Sequence, residues 1–197
     1  MREKLTRSGH DIREYRFTVS EDAFAELEQG RHVEIALPEA AGRSLIAHQT
    51  SYLWLQEHGR SRVLHLVPRR AQIAPLVGLS RWMAPEILTL GLSSARMSSP
   101  LAFRSIANAH RVYVSTPGLL INAIRRARFP RERMRQIGIV VLHGYDGLLS
   151  VDDDGHALLL RPMGIAMMSP GRHESLSQHG AAEYFWAILM RPLQQPR

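Results

Sequence analysis

Ala36–Ala47 reads ALPEAAGRSLIA. An apolar stretch, HVEIALP, runs into it as a short strand. A stretch with apolar residues at helical spacing, SLIAHQTSYLWLQEHG, runs out of it. Between them, Pro38-Glu-Ala-Ala-Gly42-Arg43-Ser44 has the shape of a phosphate-binding loop. Such a loop needs small residues, so that backbone N–H groups can approach phosphates, and then a helix N-terminus whose dipole favours the anion. It also needs a cation for the outer phosphates and a hydroxyl for magnesium. Ala40, Ala41 and Gly42 are small, Arg43 offers charge and Ser44 offers the hydroxyl. The central glycine and the lysine are missing, and Glu39 would bring a carboxylate toward bound phosphates. Alone, the match is weak, and a bare strand-to-helix turn accounts for it more simply.

The alternation continues on both sides. The first 19 residues are charged and lack a clear period, so they read as a flexible lead-in to a single domain over residues 20–197. SEDAFAELEQG reads as a short helix with Ser20 as N-cap and Gly30 as its stop. RVLHLVP is a strand ended by Pro68. RAQIAPLVGLSRWM is helical with a bend or break at Pro75. EILTLGL is a strand, PLAFRSIANA a short helix, HRVYVSTPG a strand and LLINAIRRARF a helix. IGIVVLHG reads as a buried strand, IAMMSP as a short one, and AAEYFWAILM as a C-terminal helix. Short apolar strands alternating with helices predict an α/β fold, a three-layer αβα sandwich around a mainly parallel sheet. In such sheets ligands bind beyond the carboxyl ends of the strands. The residues just after each strand therefore carry the functional reading.

Composition narrows the partners. The chain has 197 residues and a net charge of +7, which favours polyanions. Lys4 is the sole lysine, so the positive charge is arginine, which fits phosphate recognition and a GC-rich coding bias alike. There is no cysteine, which excludes disulfides, thiolate zinc sites and a cysteine nucleophile and favours the cytoplasm. The N-terminus is too polar for a secretory signal. No apolar run reaches the roughly 18–20 residues of a membrane span, so no membrane partner is expected.

The post-strand segments, taken in order, carry a resemblance. They are PEAAGRS, then LVPRRAQ (Leu66–Gln72), VSTPGLL (Val114–Leu120), VLHGYDGLL (Val141–Leu149) and MMSPG (Met167–Gly171). Over roughly Val33 to Gly171 the chain resembles the first RecA-like domain of a superfamily-two helicase of the DEAD-box and viral kind. The family's first motif resembles PTGSGKT, and its next resembles LAPTREL. Its TPGR motif keeps Thr116-Pro117-Gly118 here, with Leu119 in place of the arginine. Its VLDEAD motif corresponds to VLHGYD, and of its SAT motif only Ser169 survives.

The resemblance implies a nucleotide site at Gly42, Arg43, Ser44 and Asp146, taking ATP and magnesium weakly or not at all. It implies backbone contacts to single-stranded nucleic acid, independent of sequence, through Arg69, Arg70, Ser115, Thr116 and Gly118. Arg125, Arg126, Arg128, Arg131, Arg133 and Arg135 would extend the basic surface. Phosphoryl transfer in the family uses a loop lysine, a metal-binding Asp and a carboxylate that positions water. Arg43, His143 and Gly144 stand at those positions. Magnesium prefers oxygen ligands to imidazole, and Gly144 has no acid/base group. No catalytic residue and no resident metal are therefore expected. The implied role is a degenerate helicase-like module that binds nucleic acid or serves an assembly without hydrolysing ATP. The alternatives are an ATP-binding helicase subunit completed by a partner's second RecA-like domain, and a purely structural interaction scaffold.

Other constellations carry less. The ten histidines are scattered and none has zinc-site spacing, so they read as structural or exposed. VDDDGH (Val151–His156) reads as a solvated turn. HGYDG lacks the Gly-x-Ser-x-Gly elbow that would support a Ser-His-Asp arrangement. Tyr52, Trp54, Phe185 and Trp186 read as core.

Overall fold

The computed structural model of the chain describes residues 9–37, 41–92, 108–125, 131–144 and 186–192. Helix α1 (Gly9–Glu28) leads into strand β1 (Val33–Leu37), followed by α2 (Arg43–Glu57) and β2 (Arg62–Leu66). A 3-10 turn (Arg70–Gln72) opens α3 (Ile73–Met83), which precedes β3 (Thr89–Gly91). Then come β4 (Val112–Ser115), α4 (Pro117–Arg125), a helical turn (Arg131–Met134), β5 (Ile137–His143) and β6 (Trp186–Pro192). The six strands form one sheet in the order β1-β6-β5-β2-β4-β3, and every pairing is parallel.

Side-chain parity divides the core. Leu64, Leu66, Val140 and Leu142 point to the face covered by Leu119, Leu120 and Ala123 of α4. Val63, Ile139 and Val141 point to the other face, with Ala23 and Leu27 of α1 and Ile46, Ala47 and Leu55 of α2. Successive strand residues alternate faces. His65 and His143 therefore share the face that carries α2. β2 and β4 are buried along their whole length, which is why they read as continuous apolar runs rather than as alternation.

Three expectations are corrected. Residues 9–19 are not a flexible lead-in but the first half of α1. Ser20 does not cap that helix. It is buried within it, and its hydroxyl donates to the Arg16 carbonyl at 2.8 Å. Residues 9–19 are rich in charge and lack a clear apolar period, so the first turns gave no periodic signal. The stop at Gly30 holds: Gly30 is left-handed (φ 78°), its N–H bonds the Leu27 carbonyl at 2.9 Å, and the Arg31 N–H reaches the Glu26 carbonyl at 3.0 Å. That pair of bonds is a Schellman motif.

The second correction is the C-terminal helix, because residues 186–192 form strand β6, inserted between β1 and β5. A short apolar run such as WAILM fits a buried helix and a buried strand equally by periodicity. The third is the bend at Pro75. This residue is the third of α3, in the first turn, where its missing N–H would have had no intrahelical partner. PLAFRSIANA falls mostly outside the described residues, and IAMMSP and Ser169 fall wholly outside them. No helix among the described residues is long and apolar enough to cross a membrane.

Candidate functional site

The carboxyl ends of the strands bring the expected loops to one side of the sheet. After β1, Gly42 is the N-cap of α2 with φ 87° and ψ 28°, and no side chain caps the helix. No acidic residue lies in the first turn of α2. Arg16 of α1 crosses to this turn, where its Nε donates to the Ala41 carbonyl at 3.2 Å. A Cβ added to Gly42 would lie 2.6 Å from that same nitrogen. Glycine is therefore required twice at this position, by its left-handed backbone and by the guanidinium packed on it. Arg43 and Ser44 are half-buried. Pro38–Ala40 and Asp146 lie outside the described residues.

After β2, Arg69 and Arg70 are exposed, and the Arg69 N–H is held by Gln72 Oε1 at 3.1 Å. After β4, Ser115 is turned inward and fully buried, its hydroxyl donating to the Thr116 carbonyl at 2.9 Å. Thr116 caps α4: its Oγ1 accepts the Leu119 N–H at 3.4 Å, and its carbonyl accepts the Leu120 N–H at 3.1 Å. Of the STPG segment only Gly118 is exposed.

After β5 stands a feature that the spacing did not announce. His48 of α2, His65 of β2 and His143 of β5 form a buried stack. Ring centroids are 4.3 Å apart for His48 and His65, and 5.2 Å for His65 and His143. His65 Nδ1 and His143 Nε2 are 2.9 Å apart, and Ser51 Oγ lies 3.4 Å from His65 Nε2. The Ser51 hydroxyl spends its one proton on the Ala47 carbonyl at 2.7 Å. It must then accept from His65 Nε2–H, which leaves His65 Nδ1 as an acceptor for His143 Nε2–H. This chain of donors requires His65 to be neutral, because its Nδ1 must accept. Burial pushes the His48 pKa down to about 4 and that of His143 down to about 3, with the Arg43 guanidinium adding to the latter shift. His65 is held well below its usual range, first by burial and then by the other two rings. His48 Nε2 is buried without a hydrogen-bond partner among the described residues.

Magnesium does not fit here. His143 offers a nitrogen already engaged with His65 where a hard cation needs oxygen. Among the described residues no His, Asp or Glu cluster is arranged to hold a metal. The histidines escaped the sequence reading because parity and packing, not spacing, bring them together. The available signal was a histidine interrupting each of two otherwise apolar strands, VLHLV and VVLHG.

Known proteins resemble this chain in two ways. The Y4lF protein domain family model matches residues 141–191. Over 49 residues the chain is 49% identical to protein y4lF of Sinorhizobium fredii, which covers 25% of this chain and 15% of that protein. Among solved structures, the Hef helicase domain of Pyrococcus furiosus superposes with a TM-score of 0.61 at 19% identity, over 90% of this chain and 38% of that one. The DUF1998 helicase MrfA superposes with a TM-score of 0.64 at 14% identity, over 88% of this chain and 26% of that one. MrfA bound to DNA and AMPPNP matches with a TM-score of 0.59 at 16% identity, over 89% and 24%. The chain thus spans between a quarter and two fifths of these helicase structures, and its fold is a RecA-like, helicase-type α/β domain.

Proposed function

We propose that this chain is a helicase-like module that does not hydrolyse ATP and works by gripping the backbone of single-stranded nucleic acid. One observation carries the first half. Where helicases of the family it resembles place a metal-binding Asp and a catalytic Glu, this chain has His143 and Gly144, and His143 is buried and neutral in a ring stack. No group there can hold magnesium or position an attacking water. Gly42, Arg43 and Ser44 would still offer an uncapped helix N-terminus and a cation to phosphates, so weak nucleotide retention is compatible with this reading. The AMPPNP bound by MrfA supports that possibility for a shared fold.

For nucleic acid, the exposed Arg69 and Arg70 would meet backbone phosphates, and so would the exposed Gly118 in the first turn of α4. Thr116 acts as a cap and Ser115 through its backbone only, since both side chains are occupied. The DNA bound by MrfA supports this choice of partner. A second reading, a nucleotide-binding subunit completed by another chain's RecA-like domain, rests on the fraction of each helicase that this chain spans.

Two measurements test the proposal. Phosphate release with millimolar ATP and magnesium should stay at background; turnover lost on Arg43→Ala would overturn the non-hydrolysing reading. A labelled single-stranded oligonucleotide should bind at low salt and be released as salt rises. The Arg69→Ala/Arg70→Ala variant should flatten the dependence of log K on log salt by about 1.4. Absence of binding at low salt would overturn the nucleic-acid half and leave the assembly role.

A further inference from the structure

At the opposite end of the sheet, three arginines gather at the amino ends of the central strands. Arg62 opens β2, Arg111 precedes β4, and Arg133 lies in the helical turn before β5. Arg62 is buried and the other two are half-buried. Arg62 donates through Nε to Gln136 Oε1 at 2.9 Å, through Nη1 to the Tyr113 hydroxyl at 3.1 Å, and through Nη2 to the Asn108 carbonyl at 3.2 Å. Arg133 donates to Asn108 Oδ1 at 2.9 Å and to the same Gln136 Oε1 at 2.7 Å. Arg111 donates to the carbonyls of Leu55, His58 and Ser61 at 2.8, 3.1 and 3.4 Å.

Every one of these acceptors is neutral. Glu26 is paired with Arg31, and Glu28 contacts His58, so neither carboxylate is engaged with these three arginines. Arg111 is offset in part, because it sits on the carbonyl end of α2, the negative pole of that helix. Arg62 and Arg133 have no such offset among the described residues. They share Gln136 Oε1, and burial together with the nearby Arg133 and Arg111 lowers the Arg62 pKa. The Arg62 guanidinium nevertheless stays protonated at any ordinary pH. The Nη2 group of Arg133 and one N–H on each terminal nitrogen of Arg62 have no acceptor among the described residues. Gln136 and Asn108 hold the two forks in place, so an anion would meet donors that are already oriented.

We propose that Arg62 and Arg133 form a second anion site, at the amino end of the sheet, that takes a phosphoryl oxyanion. The oxyanion could belong to a free phosphorylated metabolite or to a nucleic-acid backbone. The site is separated from Arg43, Arg69 and Arg70 by the length of β2, about 15 Å.

Inorganic pyrophosphate in EDTA at low salt is the first probe. The wild-type chain should gain several degrees in melting temperature, and Arg133→Gln, which keeps hydrogen-bonding capacity without charge, should gain clearly less. Arg133→Lys should bind about tenfold more weakly, since it keeps charge but loses the fork. In the Arg43→Ala and Arg69→Ala/Arg70→Ala backgrounds, adding Arg133→Gln should still remove a part of the response, because that part belongs to the amino-end site. Circular dichroism of Arg133→Gln without ligand separates lost binding from lost fold. The second probe is a short single-stranded DNA: displacement of pyrophosphate in the Arg69→Ala/Arg70→Ala background assigns the oxyanion to nucleic acid, and no displacement assigns it to a free metabolite. An equal pyrophosphate response in Arg133→Gln, or none in the wild type, overturns the site. Either result leaves the carboxyl-end reading untouched, because that reading is probed by Arg69 and Arg70.

Discussion

Acidification from pH 7.5 to pH 5 should weaken the fold steeply, and the histidine stack sets the size of the effect. His48 and His143 have folded pKa values of about 4 and about 3, both below the unfolded value of 6.5. The unfolded chain thus binds protons that the folded chain refuses. The stability due to neutral burial is fully present above pH 6.5, falls as pH drops below it, and is exhausted only below the folded values. At pH 5 each of these two residues has been penalised over about 1.5 pH units, or about 2 kcal/mol, so the pair costs about 4 kcal/mol. His65 shifts in the same direction and adds to the loss. Against a typical stability of about 5–15 kcal/mol, this is a large fraction. Urea unfolding followed by circular dichroism at several pH values should give a slope of about two protons or more between pH 6 and pH 5. A slope below one proton would refute the neutral buried stack, and with it the assigned direction of the His143-to-His65 hydrogen bond.

Three further outcomes follow from particular contacts. His48→Leu removes a buried nitrogen that lacks a partner, so at pH 7 it should leave stability within about 1 kcal/mol of the parent and should reduce the proton slope by about one. Gly42→Ala should destabilise by about 1–2 kcal/mol in chemical denaturation, because φ is 87° and the new methyl meets Arg16. Adding Arg16→Ala should recover only the steric part of that loss. Tyr113→Phe removes the hydroxyl that accepts from Arg62 and donates to the His110 carbonyl at 3.1 Å, and should cost about 1–3 kcal/mol in the same assay.

The sheet was readable where sequence alone determines burial. RVLHL, VYVS and IGIVVLH are too short and too continuously apolar for amphipathic helices, and Pro or Gly follows each closely. The first turns of α1 were unreadable because residues 9–19 are rich in charge and show no apolar period. β6 was unreadable because a short apolar run such as WAILM fits a helix and a strand alike. The candidate loops could be ordered from the sequence, but their side chains could not be oriented. Ser115 faces inward since it falls on a buried parity of β4, a fact fixed by register with β2. The histidine stack draws on residues far apart in the chain, so only the parallel register of β2 with β5, His65 against Val141, reveals it. Arg16 likewise lies in the N-terminal half of α1, the part of that helix that the sequence did not announce.

The place of β6 in the sheet also has a temporal meaning. β1 touches the rest of the sheet through β6, with Ile35 opposite Met190. During synthesis β1 therefore emerges with no neighbour to pair with, and its open edge must wait for residues 186–192, far along the chain. β2, β4 and β5 can assemble beforehand around shorter separations, and the closure of β1 and β6 follows as a late, non-local step. Until then the unpaired edge of β1 invites other chains. A nascent chain paused before residue 186 should accordingly hold a chaperone longer than one paused after β6 has emerged.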